Sequence, residues 1–303
     1  MGAPLHVTLT FDDGFWGPAY ATMRSVCLST TRRPDLIFHL FHLGLRPEHR
    51  ADLDAIASEF GATVLHRPLE AEPEVAAFLN SLPGTRDFPP IVYARLLLDR
   101  LLPPGIGRVL YLDSDLYVRA PVERLLEMDL EGKSLAAAPE PGRHHLIRGD
   151  DMRSRMAPFD PGEPYFNSGV LVIDRAAWAR ADLPGFLADL QRSGEIHRLY
   201  HDQDVLNLRF RGDWLRLDPL WNLTKPHPAL RALDPMIVHY TTGMKPWNTL
   251  SYVAFGSSYK HVMTAEVRRR YIAYRRRRWW ARLFGRPGRS TNAEAIEREP
   301  PTR

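Results

Sequence analysis

The feature that most constrains the fold of this 303-residue chain is the alternation that fills residues 6–66. His6–Phe11 is a β-rich apolar run that stops at Asp12-Asp13-Gly14, and Trp16–Ser29 has helical character. Leu36–Leu43 is a second apolar run, Pro47–Phe60 a second helix and Gly61–His66 a third strand. Strands that alternate with helical stretches at this spacing are βαβ units, so the expected fold class is α/β with a mostly parallel sheet. The pattern continues. Val92–Leu102 is apolar at helical spacing and closes on Pro103-Pro104-Gly105. Arg108–Leu112, Ser134–Ala138, Phe166–Asp174 and Met236–Tyr240 read as strands, and Trp178–Arg192 and Gln203–Phe210 as helices. Polar, proline-rich Glu70–Pro90 reads as a loop. The composition, 44% hydrophobic and 25% charged, is that of a globular protein and excludes a disordered, collagen-like or coiled-coil chain.

Cysteine and charge narrow the setting. A lone cysteine, Cys27, rules out an internal disulfide and a cysteine-built zinc site, and fits a reducing compartment. No apolar run approaches the ~20 residues of a membrane span, and the first residues lack the pattern of a secretory signal. Residues 266–303 hold twelve arginines against four acids, a net of +8, while the rest carries 28 bases against 32 acids, a net of −4. A mildly acidic body disfavours nucleic acid as a partner, and any anionic surface is expected to be met through the C-terminus.

Asp113-Ser114-Asp115 is the most informative local motif. An apolar strand delivers two carboxylates to the edge where open α/β sheets bind ligands. Two hard oxygen ligands so close suit magnesium or manganese held together with substrate phosphates. A solvated acidic turn is the plainer reading. Two hydrolase patterns compete. Haloacid-dehalogenase-type phosphatases also open on strand-D-x-D, but near the N-terminus and with Thr or Val soon after, where this chain has Leu116-Tyr117. Leu9–Gly14 resembles the T-F-D-D-G motif of polysaccharide deacetylases, which need a histidine pair. The nearest pair, His39 and His42, lies on a predicted strand at i and i+3, facing opposite sides.

Four further segments stand in order around the carboxylates: Tyr93-Ala94-Arg95; Tyr165–Asp174, containing Asn167-Ser168-Gly169; His201–Asn207, with Asp202-Gln203-Asp204; and His239–Trp247, with Lys245-Pro246-Trp247. Each has a structural alternative: Asn167–Gly169 as a bend, Asp202 as a helix cap, Lys245–Trp247 as a turn with a packed indole. Taken together, the segments resemble glycosyltransferase family 8, over Val7–Trp247. The resemblance implies a GT-A fold, a Rossmann-like mixed sheet flanked by helices. It implies a retaining hexosyltransferase that uses a UDP-sugar and a divalent metal, Mn²⁺ with Mg²⁺ as the alternative, and a glycan or lipid-linked acceptor. Asp113, Asp115 and His239 would be the metal ligands. Asp12, Arg95, Asp113, Ser114, Glu140, Asn167, Ser168 and Lys245 would bind the donor, with Asp12 reading the uracil edge. Asp202 and Gln203 would stand at the anomeric carbon. Retention could run through a covalent intermediate or by front-face attack, and the front-face route is favoured because an amide is a feeble nucleophile.

Two departures stand out. The family often carries Asn where this chain has Gly14, which removes a base contact. Its His-x-x-Gly-x-x-Lys pattern is shifted, with Thr242 at the glycine position and Gly243 following. The alternatives to a transferase are a metal-dependent deacetylase or phosphatase-type hydrolase, or a non-catalytic sugar-nucleotide-binding protein. The expected organisation is a catalytic domain over residues 1–255, a basic, aromatic membrane-association segment over 256–289 and a disordered tail over 290–303. The arginines of the middle segment occupy nearly all sides of a helix, so no clean amphipathic stripe is read. With Trp279, Trp280 and Phe284 they suggest adsorption to an anionic membrane, placing the protein in the cytoplasm, on the inner face of the membrane.

Overall fold

The computed structural model describes residues 2–84, 89–140, 159 and 163–284. The strands are β1 (Leu5–Asp12), β2 (Leu36–Leu43), β3 (Thr63–Pro68), β4 (Arg108–Leu112), β5 (Leu116–Val118), β6 (Leu135–Pro139), β7 (Phe166–Asp174), β8 (Trp214–Arg216) and β9 (Ile237–His239). The helices are α1 (Trp16–Ser29), α2 (Pro47–Phe60), α3 (Pro73–Asn80), α4 (Leu98–Leu101), α5 (Glu123–Leu126), α6 (Arg175–Arg180), α7 (Leu183–Arg192), α8 (His201–Arg209), α9 (Gly256–Val262) and α10 (Ala265–Phe284). A seven-stranded sheet runs in the order β3-β2-β1-β4-β7-β6-β8. β1 to β4 are parallel to one another, β7 is antiparallel to both its neighbours, and β6 pairs parallel with β8.

Alternation along the central strands sorts their side chains into two apolar layers, one on each face of the sheet. Leu5, Val7, Leu9 and Phe11 of β1 join Leu110 and Leu112 of β4 and Val170 and Val172 of β7 on one face. Val109, Tyr111, Leu171 and Ile173 point into the other. Covering both faces is what makes these strands read as continuous apolar runs.

The register decides where chemistry can occur. β1 and β4 pair with Val7 opposite Leu110 and Thr8 opposite Tyr111, so Asp12 and the Asp113–Asp115 turn leave the sheet at one carboxyl edge. β7 runs the other way and starts at this edge, where Asp113 N–H donates to Gly169 O at 2.8 Å. β5 then pairs with β9, setting Leu116 opposite His239. One edge thus collects residues 12, 113–115, 167–169 and 239.

Several local readings change. Residues 70–90 hold α3, not only loop. Val92–Leu102 lies mostly in a 3₁₀ helix, Pro90–Leu97, that runs into α4. Trp178–Arg192 is two helices, broken where Asp182 adopts a left-handed conformation and caps α7. Short β5 and β8 carried too few residues to show a period. His39 and His42 do face opposite sides: His39 meets His6 at 3.1 Å and His42 meets His66 at 3.2 Å. Burial pushes both down to about 4, so they are neutral layer residues in two different environments.

The expected boundary at 255 does not mark a break in packing. Tyr259, Met263, Val267, Tyr271 and Tyr274 are all buried in the same apolar layer as β1 and α1. On α10 the spacing 267, 271, 274 is a helical stripe. Its Tyr271 ring lies edge-on to Trp16 at 5.6 Å and to Trp247 at 6.1 Å, and its hydroxyl donates to Gly14 O at 3.0 Å. Arg270 pairs with Asp52 of α2 at 2.5 Å. In the sequence, arginines surround this stripe, and their charge masks three docking positions. The tail over 290–303 lies outside the described residues. Among the described residues no helix is long and apolar enough to cross a membrane.

Candidate active site

The Asp113–Asp115 turn, β7 and β9 bring three ligand groups together. One atom each of Asp113, Asp115 and His239 lie within 4.8 Å of one another. His239 Nε2 stands 3.2 Å from Asp115 Oδ1 and 3.5 Å from Asp113 Oδ2. A Cβ on Gly169 would lie 2.2 Å from His239 Cε1 and 2.8 Å from Asp113 Oδ2, so glycine alone lets β7 pass this close. That gives the F-N-S-G segment a steric reason.

A buried amide chain orients the imidazole. His239 Nδ1 meets Asn222 Oδ1 at 2.9 Å; Asn222 Nδ2 donates to Asn167 Oδ1 at 2.8 Å; Asn167 Nδ2 donates to Glu140 Oε2 at 2.7 Å. Because Asn222 spends its N–H on Asn167, its carbonyl faces Nδ1. That arrangement places the proton on Nδ1 and the lone pair of Nε2 toward the two carboxylates. Asn222 was missed by the sequence reading. It lies in a 3₁₀ turn, Pro219–Asn222, seventeen residues before its partner, with no motif around it. The donor set of two carboxylates and one oriented imidazole fits a divalent cation such as Mn²⁺.

Cations surround these acids. Lys245 Nζ lies 2.6 Å from Asp115 Oδ2 and also donates to Tyr240 O. Burial alone would raise Asp115, but Lys245 and His239 outweigh it and hold the carboxyl below the usual carboxylate range. A Cβ on Gly243 would meet nothing, and the lysine still reaches the turn. Trp247 is packed as well, so the motif holds both a charged residue and a core indole.

Arg95 ties the acids to α8. Its Nη2 lies 2.9 Å from Asp113 Oδ1 and its Nε 3.1 Å from Asp202 Oδ2, while Nη1 donates to Ser168 O at 2.9 Å. Its guanidinium rests over the Tyr111 ring, 4.3 Å from the centroid. Burial pushes Asp202 up to about 6, with Arg95 opposing and Asp113 adding to the rise. Asp202 does not cap α8; Tyr200 is the residue at that position. Gln203 Oε1 accepts from Ser168 N–H at 3.1 Å, and its amide nitrogen donates to the Tyr165 hydroxyl at 3.2 Å. Asn207 completes the clamp, accepting from Phe166 N–H at 2.8 Å and donating to Phe166 O at 2.9 Å.

The remaining expected residues divide. Glu140, Asn167 and Ser168 stand with the cluster. The Ser114 hydroxyl is buried without a partner among the described residues, and its carbonyl accepts from Thr22 at 2.8 Å. Asp12 lies apart, in a second cleft of about 280 Å³ lined also by Asp13, Gly14, Leu43, Gly44, Arg46, Tyr274 and Arg278. Tyr274 and Arg278 come from α10, so the C-terminal helix forms one wall.

This arrangement agrees with what the chain is similar to. It is 23% identical over 278 residues to General stress protein A of Bacillus subtilis, covering 86% of this chain and 93% of that one. It is 30% identical over 184 residues to the lipopolysaccharide 1,2-glucosyltransferase of Escherichia coli, covering 56% of this chain and about half, 53%, of that protein's length. Among solved structures, the galactosyltransferase LgtC, in complex with donor and acceptor sugar analogues, superposes with a TM-score of 0.70 at 22% identity. It covers 86% of this chain and 95% of that one, so the fold is GT-A. The family description "Glycosyl transferase family 8" matches residues 6–251, a span that holds every residue of the cluster around Asp113, and to that family the chain belongs.

Proposed function

We propose that the protein transfers a hexose from a UDP-sugar, with retention at the anomeric carbon and dependence on a divalent metal, Mn²⁺ before Mg²⁺. The observation that carries this reading is the convergence of Asp113, Asp115 and the oriented Nε2 of His239 at the carboxyl edge of the sheet. Bound there, a divalent ion supplies positive charge to the diphosphate as the glycosidic bond breaks. Lys245 sits on the same carboxylate and can turn its ammonium to a phosphate oxygen. Arg95 holds Asp113 and Asp202 in one geometry from between them. A carboxylate held by a guanidinium is a blunted nucleophile, which favours front-face attack over a covalent adduct on Asp202. Gln203, fixed by Ser168 and Tyr165, then serves to stabilise the positive anomeric centre. The acceptor is a glycan or a lipid-linked sugar.

The membrane reading becomes narrower. The buried stripe of α10 is committed to the body. Arg269, Arg275, Arg276 and Arg277 remain exposed, and Trp279 and Trp280 are about half exposed. These residues form the part of the helix offered to an anionic leaflet on the cytoplasmic side.

The test is a panel of UDP-hexoses incubated with the protein, with Mn²⁺ and with EDTA, reading release of UDP. Hydrolysis of one donor that vanishes in EDTA is the expected result. Donor turnover that is indifferent to EDTA overturns the metal assignment. No turnover or binding of any UDP-sugar, with deacetylation or phosphate release from other substrates instead, overturns the transferase reading.

A further inference from the structure

Resting on the donor class proposed above, we infer that Arg278 of the C-terminal helix is a nucleotide-recognition residue, reaching over Gly14 to form, with Asp12, a paired donor and acceptor for the uracil edge. The cleft around Asp12 holds a carboxylate and a guanidinium that do not pair with each other. Asp12 Oδ1 accepts from Gly14 N–H at 2.8 Å, which fixes the carboxylate and leaves its second oxygen without a protein partner among the described residues. Arg278 is half-buried. Among the described residues its guanidinium meets the Tyr274 hydroxyl, to which Nη1 donates at 3.0 Å, and lies over the Tyr274 ring at 5.6 Å, but finds no carboxylate. Tyr274 is itself anchored, donating to Asp13 Oδ2 at 2.9 Å, while His49 and Arg46 also engage Asp13. Asp13 is therefore used up in holding the wall, and Asp12 and Arg278 retain bonding capacity toward the cleft.

Gly14 is what admits the arginine. A Cβ there would lie 2.6 Å from Arg278 Nη1 and 2.8 Å from Asp12 Oδ1. The residue that many family members use for a base contact would thus fill the space this guanidinium occupies. In this chain the space beside Asp12 that a side chain at position 14 would take is held by one arriving from α10. The chemistry of the two groups is specific. Uracil presents an N–H donor at N3 beside a carbonyl acceptor at O4. Cytosine presents the reverse, an acceptor at N3 and an amine at N4. A carboxylate beside a guanidinium complements the first order and opposes the second.

The experiment measures calorimetric binding of UDP and CDP, each with Mn²⁺, to the full chain and to Arg278→Ala. Arg277→Ala, one position away and exposed, controls for general loss of charge, and thermal melting controls for folding. Arg278→Ala is expected to weaken UDP about tenfold, the worth of one charge-assisted hydrogen bond, and to narrow the preference for UDP over CDP. Arg277→Ala should leave both affinities as they were. UDP binding unchanged by Arg278→Ala, or UDP and CDP weakened equally, overturns the inference. Failure of the unaltered chain to bind UDP at all overturns instead the donor class on which it rests.

Discussion

The two clusters at the carboxyl edge of the sheet, an Asp113 end and an Asp12 end, are built on opposite plans. At the Asp113 end, β4, β7, β9 and α8 converge, and Asp113, Asp115, His239, Asn167, Asp202 and Gln203 are each held by a hydrogen bond or ion pair to a neighbouring side chain or backbone group. At the Asp12 end, one strand terminus meets a helix from the far end of the chain, and an arginine reaches across a glycine to finish the wall. The first plan fixes charge to within a hydrogen-bond length, as a reaction at a breaking bond requires. The second draws its wall from a helix whose buried stripe is packed in the core while Arg278 reaches the cleft from its other side.

The largest expected effect tests whether α10 belongs to that second plan or merely hangs from it. A chain ended after Glu266 loses Val267, Tyr271 and Tyr274 from the core, at about 2–5 kcal/mol for each large side chain. It should lose its cooperative melt altogether. A melting temperature equal to that of the intact chain would return α10 to the status of a tether. Next, Asp115→Ala should cut donor turnover by about 10²–10³-fold or more with the fold intact, since a whole electrostatic stabiliser of the leaving group goes with it. Turnover within about tenfold would dissolve the Asp113 end as described here.

A finer test concerns the amide chain. Asn222→Ala frees the His239 ring, and manganese titration should show affinity about 10–100-fold weaker, with the apo protein's melting little changed. Equal affinity would mean that the strand pairing of β5 and β9 alone aims the imidazole. The smallest effect is expected on the outside of α10. Trp279→Ser with Trp280→Ser should weaken adsorption to anionic vesicles severalfold and leave UDP binding untouched, because neither side chain lines the cleft around Asp12. If UDP binding falls as well, the two faces of the helix are not separable.

The Asp113 end was legible because its residues sit in short dense motifs whose order along the chain follows the order of the strands. Arg95, Asn167, Asp202, Gln203 and Lys245 could all be named from it, and the structure brings them together. Asn222 could not be named. Amide-to-amide contacts have no period, no charge and no spacing rule, so nothing local marks them. The fold's strands and first two helices were legible from the 2.0 and 3.6 periodicities. Helix α3 was hidden by the prolines and acids that begin it, and the break at Asp182 by apolar residues on both sides. The docking of α10 was hidden differently. Two tyrosines and a valine among so many arginines read as an interfacial tail, whereas their spacing of four and three marks a buried stripe. Charge told what the helix shows to solvent and nothing about what it covers.

That α10 closes over α1 also sets an order of events in synthesis. Trp16 emerges early and His49 stacks on it at 4.3 Å, yet the edge-on ring of Tyr271, 5.6 Å away, arrives only with the last helix. The sheet and its inner helices can form while this aromatic face waits. At about 5–20 residues per second, the wait between them lasts on the order of ten seconds or more. The cleft around Asp12, walled by the same helix, is completed only when that wait ends.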